Sequence, residues 1–144
     1  MDRRELLLAM LATADGRAFT PVQIQKSLFL LCRNVPGLVD VGPIYEFTPY
    51  DYGPFDASVY IEADALTLFG DTVISPSEMG RWNNYAASEV GVERGRKILL
   101  GLAPHLQQYV RAVSEWVRAQ SFSGLVKSIY EAYPDMKVNS IFRG

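Results

Sequence analysis

His105 is the chain's one histidine, and it follows Pro104 at a predicted helix start. No serine, cysteine or acid stands beside it at a spacing that would make it a general base, so a solvated first-turn residue explains it better. Metal ligation lacks both the His-x-x-x-His and the Glu-x-x-His pairing. The single cysteine, Cys32, excludes an internal disulfide and a cysteine-based zinc cluster. It lies in Leu28-Phe29-Leu30-Leu31-Cys32, where a buried, small apolar residue is expected, and Arg33 alone is weak support for a reactive thiolate. Asp51 and Asp56 flank Gly53-Pro54 and could form an acidic site, but turn initiation and helix capping account for both. Gly91 and Gly95 do not fit the spacing of a phosphate-cradling loop or a dinucleotide fingerprint. Neither a catalytic residue nor a cofactor is expected, and no enzyme.

Two kinds of binding chemistry remain. Tyr45, Phe47, Tyr50, Tyr52, Phe55 and Tyr60 fall within sixteen positions, with Asp51 and Asp56 among them. Most of these rings belong in the core. Those left outside, over Tyr50, Asp51, Tyr52, Phe55, Asp56 and Tyr60, would form an aromatic, acidic partner surface of the sort enriched in protein interfaces. The nucleic-acid alternative rests on Arg81, Trp82, Asn83 and Asn84 at a hairpin tip, and on Arg94, Arg96 and Lys97 nearby. A solvated hairpin and helix face explains that basic cluster better. The helix predicted after Asp56 carries Asp56, Glu62 and Asp64 without a lysine or arginine, so it would repel a phosphate backbone.

Composition bounds both readings. At 144 residues, 49% hydrophobic and 21% charged, the chain suits one globular domain burying about two-thirds of its unfolded surface. A net charge of −2 gives no global attraction to nucleic acid or anionic membrane. The asymmetry is mild: residues 1–70 hold 5 basic and 9 acidic groups, residues 71–144 hold 9 and 7. The apolar stretch Leu6 to Ala12 is too brief to span a bilayer, and it runs into Asp15-Gly16 without a small-residue cleavage site. A cytoplasmic protein is expected.

The elements that must position these residues follow from periodicity and punctuation. A helix is predicted over residues 2–14, stopped by Asp15-Gly16. Thr20, Pro21 and Gln23 form a capping box opening a second helix, which ends at Asn34-Val35-Pro36-Gly37. Tyr45 to Tyr50 reads as extended, Asp51 to Pro54 as a turn, and Asp56 as the cap of a third helix running to about Phe69 and Gly70. Thr72–Ser75 and Asn83–Ala87 read as a hairpin. Ser88 caps a fourth helix that Gly91, Gly95 and Gly101 should weaken. Pro104 opens a fifth, with Leu106, Val110, Val113 and Val117 as its buried stripe, and Ser121 or Ser123 opens a sixth, ended by Pro134. The expected fold is mainly α with a small β-hairpin, as one domain. Residues 1–91 form a winged-helix-like front end, 92–134 the C-terminal helices, and 135–144 a polar tail with an isolated Ile141-Phe142 pair.

Three islands carry a resemblance. Ile24-Gln25-Lys26-Ser27-Leu28-Phe29-Leu30-Leu31 resembles an "LQKLLFLL" segment, and Tyr45 to Phe55 resembles "Y-x-F-x-P-Y-x-Y-G-P-F". Tyr85 to Gly91 resembles "Y-x-L-T-x-x-G", with Ser88 in place of the usual threonine. The pattern is similar to the YwgA-like small prokaryotic proteins and, more distantly, to the Panacea or SocA-like antitoxin domain; Tyr133-Pro134-Asp135-Met136 and Asn139-Ser140 fit the former as well. The resemblance implies a toxin-neutralising or regulatory protein and brings no catalytic residues. The expected function is therefore a non-enzymatic, antitoxin-like interaction module with a protein partner. A DNA-binding winged-helix transcription regulator is the alternative. Trp116, beside the Val113 and Val117 stripe, is a core residue or the contact of a homodimer formed through the C-terminal helices.

Overall fold

The computed structural model describes residues 1–144. Its first helix, α1 (Arg3–Ala12), is apolar all round beyond its charged first turn, and every residue from Leu6 to Ala12 is buried. A helix segment without a polar face has to run through the middle of a domain. Accordingly, α1 packs against the four helices that follow it and against one strand of the hairpin before the fourth. Asp2 closes its N-terminus with a capping box completed by Glu5.

The second helix, α2 (Pro21–Asn34), starts where its sequence dictates. Thr20 accepts the Gln23 amide and Gln23 accepts the Thr20 amide, with Pro21 at the first helical position. Thr20→Ala should lower stability by about 1 kcal/mol, read as a shift of the urea midpoint at unchanged slope.

Between α2 and the third helix, α3 (Ser58–Leu68), the chain departs from expectation. Of the stretch Tyr45 to Tyr50 expected as extended, only β1 (Thr48–Tyr50) is strand, and Gly53-Pro54, read as the end of a turn, belongs to a second strand, β2 (Gly53–Phe55). They pair antiparallel, Thr48 with Phe55 and Tyr50 with Gly53, so the turn is only Asp51-Tyr52. Gly53 lies at φ +102°, where a side chain would be strained. A Cβ there would also stand 3.2 Å from the Tyr130 ring and 3.6 Å from Lys26 Cε. Asp56 does not cap α3 from the N-cap position, which Ala57 holds; it accepts the Ser58 amide from one residue further back.

The hairpin of β3 (Thr72–Pro76) and β4 (Asn83–Ala87) is present, with Thr72 opposite Ala87 and Pro76 opposite Asn83. Phe19 joins β4 through two backbone hydrogen bonds with Tyr85. Helix α4 (Glu89–Leu100) is capped by Ser88, α5 (Pro104–Ala119) begins at its proline, and α6 (Phe122–Ala132) is capped by Ser121. The α5 stripe packs inward through Val110, Val113 and Val117. The protein is thus mainly α with small antiparallel hairpins, and the order up to α4 is helix, helix, hairpin, helix, hairpin, helix, one hairpin more than the expected front end. No helix is long and apolar enough to cross a membrane.

The segment expected as a polar tail is tied down. A short 3-10 helix, η1 (Pro134–Lys137), buries Met136. Beyond it, Asn139 Nδ2 donates to the Pro49 carbonyl and the Ile141 amide to that of Asp51. Phe142 packs against Phe122 and Tyr130, so the Ile141-Phe142 pair is not isolated. The tail therefore braces the β1–β2 hairpin from below, by satisfying turn carbonyls that solvent would otherwise serve.

Candidate functional site: an aromatic groove with a buried lysine

The side chains brought together most closely are those around the first turn of α2. Gln25 is buried, and its amide clasps the backbone of Asp56 in both directions: Nε2 donates to the Asp56 carbonyl and Oε1 accepts the Asp56 amide, each at 2.9 Å. The Asp56 carboxylate is itself consumed, accepting the amides of Glu46 and Ser58. Of the two acids expected on a partner surface, Asp56 is thus a structural knot that fixes the end of β2. Asp51 stays exposed on the turn.

With β2 held against α2, its aromatics fall into two rows. Tyr50, Phe55, Tyr60 and Tyr85 follow one another with centroids 4.9, 6.1 and 5.9 Å apart. Tyr52 turns the other way and meets Phe122 of α6 edge-on at 5.1 Å. Tyr50 remains 50% exposed, Tyr52 39% and Phe122 47%, although most rings were expected in the core. Tyr45 is buried, donating its hydroxyl to the Arg3 carbonyl, while Phe47 and Tyr60 are half-buried.

The wing supplies the opposite wall. Ser77, buried in the β3–β4 connection, accepts the amides of Arg81 and Trp82 on one hydroxyl and thereby sets the tip. Trp82 donates from its indole to Asn84 and remains 46% exposed. It faces a cavity of about 520 Å³ bounded by Thr20 to Gln23, Tyr52, Phe122 and Leu125. A second cavity of about 220 Å³ shares Pro21, Val22 and Tyr52 with the first and is lined further by Tyr50, Phe55 and Lys26. The two adjoin along the start of α2 as the compartments of a groove.

Lys26 was not singled out by sequence. It is 3% exposed, its Nζ donates to the Pro54 carbonyl at 3.2 Å, and it forms no ion pair. Burial alone pushes its pKa down from 10.5 to about 7. The available signal was its place inside Ile24 to Leu31, a run in which every residue is buried. Phe122 was missed as well, because an aromatic at a helix's first position has no partner within its own segment.

No protein-family model and no curated protein sequence matches this chain.

The residues of the nucleic-acid alternative are dispersed. Arg81, Trp82 and Asn83 are exposed at the wing tip, with Asn84 half-buried beneath them. The basic residues of α4 are each paired with an acid: Arg94 with Asp71, Arg96 with Asp15 and Lys97 with Glu93. The three acids expected on the third helix are mostly neutralised. Glu62 is buried and ion-paired with Arg3 and Arg4 of α1, and Asp56 is bonded to backbone, so of the three acids only Asp64 faces solvent. Repulsion from α3 is weaker than its formal charge suggested, yet the helix still offers no cation to a phosphate.

His105 is exposed in the first turn of α5, as expected. Burial pushes the Cys32 thiol up to about 11, the direction of an inert, packed cysteine. No three His, Cys, Asp or Glu side chains lie close enough together to hold a metal ion. Trp116 is 41% exposed on the outer side of α5.

Proposed function

We propose that this protein is a non-enzymatic interaction module that binds a protein partner in the groove beside α2. The observation that carries the reading is the continuous cleft walled by Tyr52, Trp82 and Phe122, each 39–47% exposed although large and apolar. Rigid aromatic rings around a concave site are the anchors that dominate binding at protein interfaces. The resemblance to antitoxin domains gives the reading its regulatory form: a partner sequestered by contact. The site is built from Tyr50, Tyr52 and Phe55 of the middle island and Tyr60 of α3, extended by Trp82 of the β3–β4 connection and by Phe122 and Leu125 of α6. DNA binding through the wing has less support, because the cations of α4 already have carboxylate partners.

The test is a pull-down from the native host with wild-type protein and a Trp82→Ala/Phe122→Ala double variant. The expected result is a partner retained by the wild type and reduced at least about tenfold by the double variant, with an unchanged circular dichroism spectrum. A partner lost instead on Trp116→Ala would move the contact to α5. Salt-sensitive binding of duplex DNA, abolished by Arg81→Ala, would replace this reading with the regulator.

A further inference from the structure

The groove's two compartments differ in chemistry. The larger is apolar, walled by Trp82, Phe122 and Leu125, while the smaller ends on an amine that no carboxylate in the chain neutralises. Buried cations are normally paired, and an amine with three donors and one acceptor is left under-satisfied. What Lys26 lacks is a carboxylate from outside. The groups facing it are few. Gln25 beside it on α2 is committed to the Asp56 backbone. The hairpin offers the Tyr50 and Tyr52 phenols and, at the mouth, Asp51. From α3 comes Tyr60, and from α6 Tyr130, which bonds Ser140 and has Lys137 on its ring.

We propose that the groove receives an extended segment of the partner protein, whose Asp or Glu carboxylate pairs with Lys26 while an apolar side chain two residues away fills the Trp82–Phe122 compartment. This rests on the groove being the partner site. Val22, on the border of the two compartments, lies one helical turn from Lys26, about 6 Å along α2, which makes two residues the shortest spacing that reaches the apolar side. An extended chain advances about 3.3 Å per residue and returns a side chain to the same face every second residue. A lone amine suits a singly charged carboxylate better than a phosphate dianion. No arginine lines either compartment, and Pro21 with the Thr20–Gln23 box leaves only the Val22 amide without a partner at the start of α2, too few donors for a phosphate.

The experiment is an amide NMR titration with acetyl-Glu-Ala-Phe-amide and acetyl-Gln-Ala-Phe-amide, followed at Val22, Lys26, Tyr52 and Gly53. The glutamate peptide should bind at least about tenfold more tightly near pH 6.5, and Lys26→Met should erase that preference while leaving Gln-peptide binding intact. Because the free amine sheds its proton near pH 7 and the paired one keeps it, the preference should shrink by up to about tenfold per pH unit above that point. Equal affinities, with both peptides perturbing the groove, would overturn the pairing with Lys26 and leave the groove as a partner site. No perturbation by either peptide at millimolar concentration would overturn both. Inorganic phosphate binding more tightly than the glutamate peptide, with the same dependence on Lys26, would replace the peptide carboxylate with a free anion.

Discussion

Gly95→Ala should destabilise the fold by about 3 kcal/mol or more, and Gly91→Ala by at least as much, in urea or thermal unfolding. Both glycines sit on the face of α4 that packs against the rest of the fold, one helical turn apart. A Cβ on Gly95 would stand 2.4 Å from the Ala12 Cβ and 2.7 Å from the Leu8 carbonyl oxygen, which belong to α1. On Gly91 it would meet the Asp71 carbonyl oxygen at 1.8 Å. That oxygen accepts the Ser88 amide, so it cannot retreat without loosening the start of α4. In both cases the obstacle includes backbone rather than the end of a flexible side chain, so relief requires moving α4 away from α1 at Gly95 and away from the start of β3 at Gly91. Alanine's helix propensity, worth about 1 kcal/mol over glycine, runs the other way and is too small to compensate. Glu93→Ala, on the exposed side of the same helix, should change stability by no more than about 0.5 kcal/mol. Should both glycine variants match it, the close approach of α1 and α4 would be wrong.

Those glycines also show where sequence reasoning stops. Read as a weakness of α4, they are its packing surface: the i, i+4 spacing puts two absent side chains on one face, and only α1 at Gly95 and the Asp71 backbone at Gly91 reveal why. The features that were legible are local. Thr20, Ser88 and Ser121 cap their helices because capping is decided within four residues, and the stripe of α5 declares itself by its period. Features set by distant chain were misread. Gly53-Pro54 looks like the end of a turn until Pro49 and Tyr50 lie opposite it, and the tail looks polar until its amides find the carbonyls of Pro49 and Asp51. Glu62 counts as surface charge until Arg3 and Arg4 arrive from α1. The aromatics of the middle island were correctly located as a cluster, but their walls, Trp82 and Phe122, come from elements 30 and 70 residues further on. Lys26 was hidden for the same reason. Within its own helix a lysine is ordinary, and burial by β2 and α6 is what makes it unusual.

Lys26→Met should stabilise the protein at neutral pH by about 3 kcal/mol and flatten its pH–stability profile above pH 7. The unfolded chain holds the lysine proton up to its ordinary value of 10.5, whereas burial makes the folded protein release it near 7. Between those values the unfolded state binds more protons, so wild-type stability must rise with pH. The slope approaches about 1.4 kcal/mol per unit and amounts to about 2 kcal/mol from pH 7 to pH 9. Below pH 7 the amine is charged in both states and its full desolvation penalty is felt. Other groups act in the opposite direction but later. The Met1 amine, raised by its contact with Asp40, is almost fully solvated and contributes little, and the buried phenols of Tyr60 and Tyr85 are raised from 10 and lower stability only at still higher pH. Methionine keeps the length and apolar stem of the lysine and gives up one hydrogen bond to the Pro54 carbonyl, worth about 1 kcal/mol. The measurement is a urea midpoint for both proteins at several pH values from 6 to 9. A slope that persists in Lys26→Met assigns the titration elsewhere and removes the uncompensated amine from the groove. A slope that disappears, with a more stable variant, means the fold retains a lysine that works against it. Packing gives no reason to keep such a residue, since an apolar side chain serves the core better. A ligand that supplies the missing negative charge is a reason, and the substitution that strengthens the fold is then the one that removes the groove's preference for a carboxylate.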